Sequence, residues 1–273
     1  MRSLPRGDTK GVTTIVATAA IAPINREPDV RAEQVSQLVL GETAQQLASD
    51  REWLRIRTDA DAYEGWVNRG YVAVLDDLHA DAWRRSAGAV SEGAVITVGR
   101  DLVRAPLRAQ LALDADGMVT LPDGRLGRVV EGRLRQAEAI RADACDVPPE
   151  DWAMQQFQGS PYQWGGVTPW GVDCSGLVQT TWAFRGVMLP RDSSQQAETG
   201  DPVQLDRIEP GDLLFFRSES GEHITHVALA ATGVSLVHST VSCGGVVRES
   251  FLPGARAGDA LRPRLVAARR VRG

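Results

Sequence analysis

The sequence predicts an α+β protein in which one or two small β-barrels precede a larger mixed domain. Three observations support this fold class. The N-terminal half consists of short strand-like segments separated by turn residues, as in small barrels. A helical apolar pattern begins near Cys174. Strand-like segments then follow at residues 211–216, 226–231 and 234–240.

The strand-like segments fall into two groups, which define the expected domains. In the first group, residues 38–42, 52–57 and 63–67 have strand patterns, and residues 11–23 are expected to contain the first strand. Residues 88–137 repeat the style, and residues 76–86 form a polar connector. Pro148-Pro149 stops regular structure before an expected helix at 150–157. We therefore expect domains at 1–79, 80–143 and 148–273, the second less clearly marked.

Cys174 has the surroundings of a reactive thiol. Asp173 precedes the helical pattern and is expected to cap it, which places Cys174 in the first turn. Unpaired backbone N–H groups and the positive end of the helix dipole favour a thiolate there. The alternative is a small buried structural cysteine.

Two histidines strengthen the reactive interpretation of Cys174. If the turn between the last two strand segments centres near Thr232, His226 and His238 lie opposite each other on antiparallel strands. That arrangement would supply a base and the residue that orients it. The pairing depends on strand register, so a different turn would change it.

The segment from about residue 152 to the C-terminus resembles the NlpC-type cysteine peptidases, papain-like enzymes that cleave bacterial cell-wall peptides. The resemblance is carried by six motifs in the family's order: Pro161-Tyr162-Gln-Trp-Gly-Gly, Asp173-Cys174-Ser175-Gly-Leu-Val, Leu189-Pro-Arg191-Asp-Ser193-Ser194-Gln-Gln, Pro210-Gly-Asp212-Leu-Leu-Phe-Phe, His226-Val-Ala and His238-Ser. The preceding part, with Tyr63-Glu-Gly-Trp-Val as its best element, resembles a bacterial SH3-like domain.

This resemblance implies a papain-like catalytic domain with a Cys-His-His triad. Cys174 would be the nucleophile, His226 the general base and acid, and His238 the residue that orients the His226 ring. The Cys174 backbone N–H and the Tyr162 hydroxyl would stabilise the oxyanion. Tyr162 could instead only pack beside Trp164.

The resemblance also implies a substrate. In similar peptidases the SH3-like domain narrows the cleft to short peptides with a free N-terminal L-alanine, and the γ-D-glutamyl–diamino acid amide is cut. A buried ammonium requires carboxylate partners, and the residues implied are Asp173, Glu33 and the Tyr63 hydroxyl. Glu33 could instead be a solvated surface residue and Asp173 only a cap. The remaining implied substrate residues are Ser175, Ser193, Ser194 and Trp164.

Composition excludes several classes of protein. A 273-residue chain that is 43% apolar and 24% charged can hold two or three folded domains. A formal charge of −5 without a basic, aromatic-rich patch argues against nucleic acid as a partner. No apolar run reaches the ~20 residues of a membrane helix. No metal, cofactor or protein partner is implied, and the expected partner is a peptidoglycan-derived peptide.

The expected location is the cytoplasm, where murein peptides are recycled. The three cysteines, an odd number, do not form a disulfide scaffold and fit a reducing compartment. Residues 12–22 resemble a weak secretion signal, in which case the protein would be exported. A first β-strand is the favoured interpretation of that stretch.

Two other functions remain open. A relative of the same fold could transfer or remove acyl groups on another amide or ester, because the triad does not specify its substrate. A binding protein for cell-wall fragments could instead use its barrels and leave the peptidase domain idle. A thiolate at Cys174 would react with iodoacetamide at lower pH than Cys145 or Cys243, which would favour an enzyme.

Overall fold

The computed structural model describes residues 13–221 and 223–272. It confirms the predicted α+β class, with two β-rich parts followed by a mixed domain. Within these residues, no helix is long and apolar enough to span a membrane.

The first part is a seven-stranded sheet with the strand order β3-β2-β6-β5-β4-β1-β7. Alternation along β5 is typical: Leu54 and Ile56 are buried, and Arg55 and Arg57 between them are exposed. The predicted first strand is confirmed as β1, and residues 11 and 12 of the predicted segment 11–23 lie outside the described part. The strands are β1 (Thr13–Ala17), β2 (Ile21–Asn25), β3 (Gln34–Val39), β4 (Thr43–Asp50), β5 (Trp53–Thr58), β6 (Glu64–Asn68) and β7 (Val72–Leu75).

The predicted polar connector is a helix, α1 (Asp77–Ser86). The Asp76 carboxylate caps it by accepting from the His79 backbone N–H, and the helix buries Ala80 and Trp83. Two buried residues on an otherwise polar helix give a weak apolar pattern, which is why the sequence did not indicate it. The domain boundary expected between residues 79 and 80 falls inside this helix.

The second part is another seven-stranded sheet, with the order β10-β9-β13-β12-β11-β8-β14. Numbered from its own first strand, this is the same order as in the first sheet, which supports the prediction of a second SH3-like barrel. Its strands are β8 (Ala89–Ser91), β9 (Ala94–Val98), β10 (Asp101–Ala105), β11 (Gln110–Leu113), β12 (Val119–Thr120), β13 (Leu126–Glu131) and β14 (Leu134–Gln136).

The third part packs helices against a six-stranded sheet with the order β17-β22-β18-β19-β20-β21, beside a small β15-β16 pair. The boundary expected at residue 143 falls inside α2, and the helix expected at 150–157 is α3. The elements are α2 (Ala137–Cys145), α3 (Pro149–Phe157), β15 (Val167–Thr168), β16 (Gly171–Val172), α4 (Cys174–Ala183), α5 (Ser193–Gln196), β17 (Asp201–Pro202), β18 (Leu213–Arg217), β19 (Ile224–Ala231), β20 (Ser235–Thr240), β21 (Gly245–Ser250), α6 (Arg256–Leu261) and β22 (Leu265–Arg270).

Apolar cores join the three parts. The first sheet has its own core around Ile24, Leu54 and Ile56. A second core combines Val39 and Leu40 of the first part with Trp83 of α1, the inner residues of the second sheet, and Val167 of the third part. Burial of this shared surface from water favours one fixed arrangement of the parts.

A buried polar network crosses the same junction. The Arg108 guanidinium of the second part donates to Glu42 of the first part and to Gln179 of α4, 3.2 Å from its Oε1. Gln179 Nε2 donates in turn to Asp61 of the first part, at 2.7 Å. Arg108 and Glu42 have side chains only 8% and 5% exposed, so each charge depends on the other.

Candidate active site

Helix α4 places Cys174 as the sequence predicts. It begins at Cys174, and Asp173 caps it by accepting from the Gly176 backbone N–H at 2.8 Å. Gly186, at φ +80°, lies beyond its end at Ala183 and reverses the chain. The helix is buried on every side from Cys174 to Trp182, so its apolar residues do not form a single inward face.

The thiolate expected at Cys174 is not its resting form. Burial and the Asp173 carboxylate raise the pKa of Cys174 to about 12. The backbone N–H groups of Val227 and Ser175 and the Arg191 charge act in the opposite direction but are outweighed. The sequence pattern did not report the burial of this site, where desolvation raises the pKa of the thiol more than the helix terminus lowers it.

The two predicted histidines are in direct contact. His226 Nε2 and His238 Nδ1 are 2.8 Å apart, and the ring planes cross at 70°. The Val227 backbone N–H bonds to the Cys174 sulfur, so the strand that carries His226 lies against the thiol. The candidate nucleophile therefore lies beside the strand that carries the candidate base, where α4 packs on β19 and β20.

The predicted strand register was wrong by one position in the turn. The pairs Leu229 with Val237 and Ala231 with Ser235 centre the turn at Gly233, which has φ +73°. In this register His226 and His238 are diagonal neighbours instead of directly opposite residues. Diagonal side chains on one face remain within reach of each other, so the contact is preserved.

Both partners of Cys174 are neutral at rest. Burial, His238 and Arg264 lower the pKa of His226 to about 3. Burial also lowers the pKa of His238, against the opposing effect of Glu249. The arrangement can therefore act as a thiol beside an imidazole base, with charge separation only during reaction.

Tyr162 lies beside this group. Its pKa is raised by burial and by the nearby Cys174 and Asp173, so its hydroxyl keeps its proton. Its backbone N–H donates to the Gly244 carbonyl at 2.9 Å, which fixes the residue against β21. The structure thus brings the hydroxyl near the thiol, where an oxyanion donor would be needed.

Asp173, which lines the cleft on the Cys174 side, already has several protein partners, and its role in binding a substrate ammonium stays a prediction. Its oxygens accept from Arg191 at 2.6 and 3.1 Å, and Oδ2 also accepts from the Gly165 backbone N–H at 2.8 Å. Arg191 Nη1 also donates to Ser175 Oγ at 2.7 Å. This buried ion pair supports the start of α4 from behind, and its partners satisfy Asp173.

A cleft of about 540 Å³ opens on the Cys174 side. It contains every other predicted substrate residue, including two from the first barrel, Glu33 and Tyr63. Trp164, 56% exposed, donates from Nε1 to Glu33 Oε1 at 2.8 Å. The predicted residues in its lining are Glu33, Tyr63, Trp164, Asp173, Cys174, Ser175, Ser193 and Ser194.

Three charged residues in the cleft were missed from the sequence: Arg191, described above, Asp192 and Arg26. Asp192, between Arg191 and Ser193, lies 3.4 Å from the Tyr63 hydroxyl. Arg26 donates to Glu33 at 2.6 Å and holds the pKa of Glu33 below its usual value. An acidic residue next to two predicted site serines was a signal for Asp192, whereas no sequence pattern marked Arg26.

A second cavity of about 420 Å³ lies on the histidine side of the site. Tyr162, His226 and His238 line it together with four charged residues that the sequence did not indicate: Glu219, Glu249, Arg256 and Arg264. His238 Nε2 is 2.9 Å from Glu249 Oε2. Cys174 thus lines one cavity, and the two histidines line the other.

Comparisons with known proteins show two regions of similarity. Residues 159–256 match the NlpC/P60 family, and residues 24–70 match the bacterial dipeptidyl-peptidase SH3 domain. Dipeptidyl-peptidase 6 of Lysinibacillus sphaericus is 27% identical over 248 residues, covering 83% of this chain and 87% of that protein. The gamma-D-glutamyl-L-lysine dipeptidyl-peptidase of Bacillus subtilis is 38% identical over 109 residues, covering 39% of this chain and 37% of that protein.

The chain therefore spans well under two thirds of the Bacillus subtilis relative. Among solved structures, an NlpC/P60 family protein from Bacillus cereus superposes with a TM-score of 0.77 at 19% identity, covering 94% of this chain and 99% of that one. At this identity the match supports the fold alone. The candidate triad residues Cys174, His226 and His238 all lie within residues 159–256. The chain carries a domain of the NlpC/P60 family of cysteine peptidases, preceded by a bacterial dipeptidyl-peptidase SH3 domain.

Proposed function

We propose that this protein is a cysteine endopeptidase that cuts the γ-D-glutamyl–diamino acid amide of short cell-wall peptides with a free N-terminal L-alanine. The name of the Bacillus subtilis relative, a gamma-D-glutamyl-L-lysine dipeptidyl-peptidase, supports this type of amide, and the Lysinibacillus sphaericus relative is also named as a dipeptidyl-peptidase. Short peptides released from the wall, as in cytoplasmic murein recycling, are the substrates that such a cleft would suit.

The observation that carries the proposal is the wall that the first barrel adds to the cleft. Tyr63 and Glu33 of that barrel line the same space as Cys174, and Tyr63 meets Asp192 there. A carboxylate pair and a hydroxyl in a partly buried pocket suit an ammonium group. Because Glu33 already forms an ion pair with Arg26, Asp192 is the better candidate for the main partner of the amine.

The reaction would begin with Cys174 as a thiol and His226 as a neutral imidazole. His226 Nδ1 takes the proton of Cys174 as the sulfur attacks the γ-amide carbon. The oxyanion accepts hydrogen bonds from the Cys174 backbone N–H and the Tyr162 hydroxyl. His226 then returns the proton to the leaving amine. In the second half of the reaction His226 takes a proton from water, which attacks the thioester carbon, and returns that proton to the Cys174 sulfur as it leaves.

The serines would hold the D-glutamate. Ser193 and Ser194 line the cleft beside Asp192, and Ser175 follows the nucleophile. The Ser175 hydroxyl already bonds Arg191 and Asp173, so its position is fixed before substrate arrives. We propose that these hydroxyls contact the α-carboxylate of D-glutamate, with the Arg191 charge behind them.

The proposal is tested with L-Ala-γ-D-Glu-diaminopimelate and its N-acetylated form, with products followed by mass spectrometry and Cys174→Ala as the control. Release of L-Ala-D-Glu from the free peptide alone is expected. Cleavage of both peptides would retain the peptidase but remove the amine pocket. Cleavage of neither would favour another acyl substrate or a wall-binding role.

A further inference from the structure

A continuous chain of hydrogen bonds runs from His226 through His238 to Glu249. His226 Nε2 meets His238 Nδ1 at 2.8 Å, and His238 Nε2 meets Glu249 Oε2 at 2.9 Å. His238 is 3% exposed and the Glu249 side chain 15%, so both side chains are largely buried at the edge of the 420 Å³ cavity. Each ring nitrogen in this chain of hydrogen bonds therefore has one defined protein partner.

Proton positions along this chain of hydrogen bonds follow from donor and acceptor chemistry. An ionised Glu249 only accepts, so His238 Nε2 carries a proton and donates it. The other nitrogen of neutral His238, Nδ1, then has no proton and must accept from His226 Nε2. In neutral His226, Nδ1 is consequently left unprotonated, which is the form a general base needs.

We infer that Glu249 is a positioning residue that selects, through His238, the tautomer of His226 that can take the thiol proton. This inference rests on the proposed role of His226 as the base. With the opposite tautomers, His226 Nε2 would accept from His238 and Nδ1 would carry a proton. That form could not deprotonate Cys174.

Arg256 fixes the charge and orientation of Glu249. Its Nε donates to Glu249 Oε1 at 3.0 Å, its Nη2 donates to Oε2, and its Nη1 donates to Ser242 Oγ at 2.7 Å. Burial raises the pKa of Glu249, but the bonds from His238 and Arg256 outweigh it, and the net pKa is lowered. Glu249 therefore remains an obligate acceptor across the working pH range.

The other groups that face the pair do not provide an alternative acceptor. Cys243 also bonds Arg256 and approaches Glu249 Oε2 at 3.6 Å, and burial raises its pKa, so it remains a thiol. Arg264 is positive and opposes protonation of His226. Glu249 is the one carboxylate that bonds either ring in the described residues.

The test compares ¹⁵N-histidine spectra of the full chain as the wild type, Glu249→Gln and Glu249→Ala. Protonated and unprotonated ring nitrogens have well-separated ¹⁵N shifts. Wild-type His226 is expected to show an unprotonated Nδ1, and Glu249→Ala a mixture of both tautomers. In the isosteric Glu249→Gln, the amide presents either a donor or an acceptor, so an intermediate mixture is expected.

Activity on the free peptide supplies a second readout. Loss of one charge-assisted hydrogen bond should lower kcat about 10- to 100-fold in Glu249→Ala, with KM within about twofold. Glu92→Gln is the matched control, because Glu92 is also a part-buried glutamate held by an arginine, Arg135, but lies in the second barrel. Its kcat is expected to equal that of the wild type.

An unchanged His226 tautomer in a folded Glu249→Ala variant would overturn the inference, as would a kcat equal to that of the control. The spectra require no substrate, so they decide the inference even if the wild type fails to cut the peptide. Failure of the peptide assay together with the expected spectra would contradict the proposed substrate alone.

Discussion

The two seven-stranded sheets share one strand order but differ in what they do. The first supplies Arg26, Glu33 and Tyr63 to the cleft, and the second supplies none of the residues that line it. The difference lies in the loops. Residues 26–33 join β2 to β3, whereas the corresponding strands β9 and β10 are joined by residues 99–100 alone. The sheet with the long loop thus lines the cleft, and the sheet with the short loop instead supports the other two parts.

The largest expected effect tests whether the second barrel stabilises the other two parts through Arg108. Arg108→Ala would leave Glu42 buried without its partner and break the link to Gln179, lowering the free energy of unfolding by about 3–5 kcal/mol. Chemical denaturation measures the change. Arg104→Ala, which removes an exposed arginine from the same sheet, is the control and should unfold like the wild type. Similar midpoints for both variants would show that the second barrel does not stabilise the assembly through Arg108.

The next largest effect tests Asp192, the residue that meets the first barrel in the cleft. Burial raises the pKa of Asp192 above its usual value. As pH falls through that raised pKa, Asp192 becomes neutral and attracts an ammonium less, so KM for the free peptide should rise. Asp192→Asn should lower kcat/KM about 10- to 100-fold at neutral pH and remove this rise. The measurement is KM against pH, and an unaltered profile in the variant would exclude Asp192 as the amine partner.

A smaller effect is expected from the barrel side of the same contact. Tyr63→Phe removes a neutral donor, since burial and Asp192 raise the pKa of Tyr63 to about 12. The loss should be about 3- to 10-fold in kcat/KM for the free peptide, with unchanged unfolding. Tyr71→Phe changes an exposed tyrosine of the same barrel and serves as the control. Equal kcat/KM values for the two variants would show that Tyr63 does not contribute to binding of the free peptide.

The smallest effect concerns the outer face of the first barrel. Glu64 pairs with Arg55 and Arg57 in the open, at 3.0 and 2.7 Å. Exposed ion pairs of this kind contribute little to stability. Glu64→Gln should therefore leave both the thermal midpoint and the kinetics unchanged. A clear loss of activity would mean that the working surface of this barrel extends beyond the cleft.

Much of the candidate catalytic group could be predicted because its signals are local. The cap at Asp173 and the start of α4 at Cys174 follow from neighbouring residues, and the strands carrying His226 and His238 follow from short apolar patterns. The contact between the histidines tolerated a misplaced turn, because both registers keep them on one face.

The rest depended on contacts between distant parts of the chain. Arg191 occupies Asp173 only after α5 folds back over α4, and Asp192 becomes part of a pocket only when the first barrel docks. The thiol pKa depends on complete burial, which a single helix pattern does not report. Glu249 reaches His238 through the pairing of β20 and β21, and its sequence neighbourhood has no catalytic pattern.

The Arg108 network limits how this chain can be recombined. Arg108 has φ +83°, a left-handed conformation that an arginine adopts at a cost of about 1–3 kcal/mol. In that conformation it joins a glutamate of the first part to a glutamine on the helix that begins with the candidate nucleophile. A catalytic domain grafted elsewhere would carry Gln179 without its partners, and a shuffled barrel would carry an unmatched charge. The three parts are expected to be inherited and engineered as one unit, even though two of them have the outline of independent modules.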